Sequence, residues 1–99
     1  MYAFTQDVPI DAVAYQQIRD GLGDDPPDGL VIHLAVERPE GGLTYIDVWE
    51  SVEQAQRFTD ERLHPVVHKM LRAVFGDELP PEPPRPELRL IHAWGHGLR

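Results

Sequence analysis

The sequence predicts an α+β domain, a four-stranded antiparallel sheet with two helices on one face, and three observations carry that expectation. From Thr44 to Trp49 polar and apolar residues alternate with the period of a strand, placing Tyr45, Asp47 and Trp49 on one face and Thr44, Ile46 and Val48 on the other. Ser51, with Gln54 three residues on, then forms a capping box that starts a helix. Two further stretches, Leu30 to Val36 and Leu88 to Trp94, show the same alternation, and the segments between the strands carry helical apolar stripes.

Taken in order, Met1 to Gln6 is rich in β-tolerant residues and predicts a short first strand. Asp11 caps a helix whose apolar positions are Ala12, Val13, Tyr15, Ile18 and Leu22, with Gly21 and Gly23 as stop signals. The run Asp24-Asp25-Pro26-Pro27-Asp28-Gly29 can sustain neither helix nor central strand and reads as a surface loop. Leu30, Ile32, Leu34 and Val36 face one way and Val31, His33 and Ala35 the other, so the second strand is expected to be at least partly covered on both faces. Glu37 to Gly42 turns the chain back into the Thr44 strand, completing a hairpin. A broad apolar stripe from Val52 to Phe75 marks the longest helix, which Gly76 ends. Pro65 has no amide to offer the Glu61 carbonyl, so a kink or restart is expected near His64. Residues 77–86 hold five prolines and read as a stiff internal loop that acts as a spacer. After the Leu88 to Trp94 strand, residues 95–99 form a tail.

Composition narrows the function classes. Ninety-nine residues suffice for one domain with one core, spanning 1–99, and a chain this short gains by burying surface in an oligomer. A net charge of −8 repels phosphate backbones and anionic membrane surfaces. Without cysteine there is no disulfide, thiol nucleophile or cysteine-based zinc site. The first residues lack the basic and apolar regions of a secretion signal, and no apolar run reaches the length of a membrane span, so a cytoplasmic protein with neither nucleic-acid nor membrane partners is expected.

The element order β-α-β-β-α-β describes a ferredoxin-like unit that leaves one sheet face bare, and that face is expected to meet a second subunit. Tyr45-Ile46-Asp47-Val48-Trp49-Glu50-Ser51 followed by Ala55, Phe58 and Asp60-Glu61-Arg62-Leu63, with Gly29-Leu30-Val31-Ile32-His33 upstream, resembles the dimeric α+β barrel superfamily. Within it the chain looks like small uncharacterised proteins of the antibiotic biosynthesis monooxygenase-like group, over roughly Tyr2 to Trp94. The resemblance implies a homodimer whose two sheets close a barrel, with a pocket between helices and sheet in each subunit. Some proteins of that superfamily oxidise polyphenols without a cofactor and others degrade haem. Haem degraders carry a helix tryptophan and a strand asparagine, whereas here the long helix has no Trp and the chain no Asn.

Several side chains are candidates for chemistry. His33 and His92 lie within otherwise apolar strands, where a buried imidazole can act as acid, base or substrate anchor; the bland alternative is a hydrogen-bonded histidine at a seam. Asp47 is costly in an apolar strand unless paired, so it is either half of an ion pair, with Arg62 or Arg89 as partner, or a functional carboxylate. Tyr45 and Trp49 share its face and suit contact with an aromatic ligand, while Trp49 equally suits core packing. His64 and His68, one helical turn apart and with Glu61 nearby, are weak metal candidates; the spacing lacks the glutamate of the zinc-protease motif, and no metal site is assigned.

Two functional readings follow. The first is a homodimer that binds a small aromatic or polyketide-like ligand and oxygenates it without a cofactor, using His33, His92 and Asp47 in proton transfer and Tyr45 and Trp49 to hold the ligand. The second is a non-catalytic dimer that binds a ligand or contributes to an assembly. A third reading, below both, has haem or a metal bound through His64 or His68.

Overall fold

A computed structural model describes residues 1–95. Its elements are β1 (Tyr2–Val8), α1 (Ala12–Leu22), β2 (Leu30–Glu37), β3 (Leu43–Trp49), α2 (Val52–Phe58), a π-helical turn (Thr59–Leu63), α3 (His64–Phe75) and β4 (Glu87–Leu88). The strands form one antiparallel sheet in the order β2-β3-β1-β4. This is a small α+β architecture compatible with a ferredoxin-like fold. Among the described residues, no helix is long and apolar enough to cross a membrane.

Local chemistry sets most boundaries. Asp11 accepts the Ala14 amide at 2.8 Å and starts α1. Ser51 accepts the Gln54 amide at 3.2 Å and starts α2. The box closes differently from expectation, because the Ser51 hydroxyl donates to Gln54 Oε1 at 2.9 Å, whereas the expected return bond joins the Gln54 side chain to the Ser51 amide. Gly23 and Gly76 end α1 and α3, each amide bonding the carbonyl four residues back. Gly21, expected as a stop, lies inside α1. A Cβ there would sit 2.7 Å from Val66 Cγ1, so the missing side chain lets α1 approach α3. Between β2 and β3 the turn is held by Arg38 and Gly42, with Gly41 returning a bond to the Arg38 carbonyl.

The expected break near His64 takes the form of a π-turn. The His64 amide reaches back five residues to Thr59, and Pro65 occupies the first turn of α3, where a missing amide costs little. Three further expectations change. A bulge at Val31 places Leu30 opposite Trp49 and Ile32 opposite Val48, so Leu30 leaves the outer row and packs against the core. The outer face of β2 is uncovered within this chain, leaving Ile32, Leu34 and Val36 exposed, Leu34 by 44%. The last strand, expected from Leu88 to Trp94, is only Glu87–Leu88, and Trp94 is 90% exposed. Of the tail at 95–99, only Gly95 lies within the described residues.

The core forms where the inner sheet face meets the helices. Trp49, 2% exposed, packs with Phe4 and Ala55, and Phe58 of α2 approaches the Trp49 ring at 5.5 Å between centroids. The proline-rich segment runs back along β1: the Thr5 amide donates to the Pro86 carbonyl and Gln6 Nε2 to the Pro83 carbonyl. It closes the inner compartment and is more than a spacer.

Candidate functional site

The middle of β3 presents Asp47 inward at 7% exposure. Desolvating a carboxylate is expensive unless donors replace water, and two do. His33 Nδ1 lies 2.5 Å from Asp47 Oδ1, and the Trp49 indole donates to Oδ2 at 3.1 Å. The hairpin register makes the first contact inevitable, since Glu37 pairs with Leu43 at the turn and the same ladder sets His33 opposite Asp47. A carboxylate only accepts, so in the neutral imidazole the tautomer that fits this pair has its proton on Nδ1 and a lone pair on Nε2. That lone pair meets the Tyr15 hydroxyl at 2.8 Å. The result is a chain of hydrogen bonds from α1 to the core: Tyr15 to His33, His33 to Asp47, Trp49 to Asp47.

Rings fix this chain in place. Tyr15 and His33 lie nearly parallel, 6.0 Å apart, and Tyr45 meets His33 edge-on at 5.1 Å. Burial pushes the Tyr45 hydroxyl well above its ordinary range, and the nearby Tyr15 and Asp47 reinforce the shift. Tyr15 is raised as well, first by burial; Arg19 works against the rise and Asp47 adds to it. Both phenols therefore stay protonated at neutral pH and available as donors.

These groups line a cavity of about 280 Å³ between the sheet, α1 and the π-turn. Trp49, Phe58 and Leu30 supply apolar wall, while Tyr15, His33, Tyr45 and Asp47 converge as polar groups, the usual make-up of a small-molecule site. Arg62 closes one side. Its guanidinium donates to the Leu22 and Asp25 carbonyls at 3.1 Å and lies over the Phe58 ring, pinning the loop after α1 to the π-turn. Arg85, from the proline-rich segment, closes another. It donates to the Thr59 hydroxyl at 3.1 Å and to Glu82 at 2.6 Å, lies over the Phe4 ring, and keeps a buried Nε with no partner among the described residues.

The structure thus brings together His33, Asp47, Tyr45 and Trp49. It does not bring in His92, which is exposed in the segment after β4 and tilts against Trp94. Asp47 takes neither expected arginine, because Arg62 is committed to carbonyls and Arg89 is exposed. His64 and His68 stack at 5.0 Å, with His64 Nε2 3.3 Å from Glu82. Among the described residues, no group of three or more His, Cys, Asp or Glu is placed to hold a metal ion. Two lining residues escaped sequence reasoning. The helical spacing presents Tyr15 as one apolar position, yet a hydroxyl on the stripe it shares with Ile18 and Leu22 is a usable signal. Arg85 lies in a proline run with no periodicity to orient it.

No family model and no curated protein matches the chain.

Proposed function

We propose that this chain is a homodimeric, antibiotic biosynthesis monooxygenase-like member of the dimeric α+β barrel superfamily, acting on a small aromatic or polyketide-like ligand by cofactor-free oxygenation. The observation that carries the reading is the Tyr15–His33–Asp47 hydrogen-bond chain opening on an aromatic-walled cavity. In such a chain the Tyr15 oxygen accepts a proton from an acidic C–H or enol O–H of the ligand as its own proton passes to His33 Nε2. Asp47 then balances the imidazolium and holds its orientation.

The ligand anion formed at a methylene between two aryl groups transfers electrons to O2 and forms a C–O bond. Protonation of the peroxide by the same chain and loss of water leave a carbonyl, so one oxygen atom enters the product and the other leaves as water. Arg85 lines the same cavity, and its unpartnered Nε would donate to the anion. What supports the dimer is the exposed row Ile32, Leu34 and Val36 on the outer sheet face.

Oxygen uptake with a panel of aromatic polyketide quinols and anthrone-type compounds tests the reaction. His33→Gln is expected to lower turnover by about 10²-fold or more, with Tyr15→Phe impaired alongside it. No uptake by the wild-type protein with any compound it binds would sink the oxygenase reading and leave the non-catalytic ligand-binding dimer.

A further inference from the structure

A second cavity, of about 210 Å³, lies on the other side of Tyr45. Both cavities are walled by Gln6, Ile18, Tyr45, Leu63 and Arg85, so only one layer of side chains separates them. Their chemistry differs. The first holds the hydroxyl and imidazole groups of Tyr15 and His33. The second is built mainly from Val8, Ile10, Val67, Met70, Leu71 and Leu79. Of the ionic groups at its edge, Glu82 pairs with both Arg85 and His64, while the Arg85 Nε keeps no partner among the described residues and His68 stacks on His64. A space whose one carboxylate is already paired and whose wall is mainly aliphatic side chains and prolines favours an apolar occupant.

We propose that the two cavities hold one ligand, an anthrone-type phenol or enol bearing an aliphatic chain, with its ring system against Tyr15 and His33 and its chain passing Tyr45 into the space beside Val67 and Leu71. The inference rests on the ligand site proposed above and adds the substrate class. Tyr45 is then the shoulder around which the ligand bends. The proline-rich segment, through Leu79 and its neighbours, is the outer wall of the chain compartment.

Isothermal titration calorimetry with phenol, para-ethylphenol, para-butylphenol and para-octylphenol tests the proposal on binding alone, independently of turnover. Affinity is expected to rise about fourfold per methylene until the second cavity is full. Leu71→Trp, which fills that cavity, is expected to flatten the series and leave phenol's affinity unchanged. Val67→Phe serves as a second obstruction should Leu71→Trp lose its native circular dichroism. A flat wild-type series with phenol still bound overturns the chain compartment and leaves the ring site standing. A steep series that neither substitution alters also overturns it, because the chains would then be collecting on the exposed outer sheet face. If no phenol binds at any length, the ligand-binding reading falls together with this one.

Discussion

The two faces of the β2–β3 hairpin obey opposite rules. On the inner face Tyr45, Asp47 and Trp49 alternate with nothing but backbone between them, and His33 lies opposite Asp47. Polar atoms are buried there, yet the carboxylate has a donor on each oxygen. On the outer face the apolar side chains of Ile32, Leu34 and Val36 are exposed, with only Thr44, opposite Val36, adding a polar group to the hairpin. The inner face resolves its cost within the chain, by pairing. The outer face leaves its cost unresolved, which a partner surface would remove.

Substitutions can break or sharpen that contrast. The largest effect is expected from Asp47→Ala, which strands the His33 and Trp49 donors in a buried site and should cost about 3 kcal/mol in urea unfolding. A variant as stable as wild type would mean that the inner polar row is not structural. Trp49→Phe keeps most of the ring but removes the indole donor, and about 1–2 kcal/mol is expected, read from the same midpoint shift. Leu34→Asp on the outer face should change protomer stability by no more than about 0.5 kcal/mol while halving the mass seen by light scattering. A mass unmoved by this charge would remove the outer face as the dimer contact.

The smallest effect is a pH dependence. The folded state holds the Tyr45 proton more tightly than the unfolded chain, whose value is 10.0. The stabilisation is therefore fully present below pH 10.0 and lost as pH rises from there through the higher folded value. Tyr15 shifts in the same direction. Thermal melts on either side of pH 10.0 should show Tm falling less steeply for Tyr45→Phe than for wild type. Equal slopes would show that burial of this phenol does not set the alkaline limit.

What the sequence made legible was what neighbours along the chain decide. The Asp11 and Ser51 caps, the turn at 38–42 and the shared face of Tyr45, Asp47 and Trp49 all follow from residues within a few positions of one another. The His33–Asp47 pair was within reach too, by counting back along both strands from the turn. Less legible were features set by packing across the fold. The Val31 bulge reverses the side taken by Leu30, the Tyr15 hydroxyl finds His33 only when α1 docks on the sheet, and Arg85 reaches Thr59 only because the proline-rich segment folds back along β1. Residues 88–94 mislead for a related reason, since alternation describes a strand only where a neighbour supplies the ladder, and β1 pairs with β4 at just two positions.

The π-turn at Thr59–Leu63 bears on how the chain tolerates changes in its length. A turn bonded over five residues holds one residue more than an α-turn, so deleting a residue there returns the helix to ordinary pitch and leaves its two ends facing as before. The same deletion early in α3 would rotate everything beyond it by about 100°, turning Met70 and Leu71 away from the second cavity they line. Natural length variants of the long helix are therefore expected to gather at this wide turn, which serves as the helix's expansion joint.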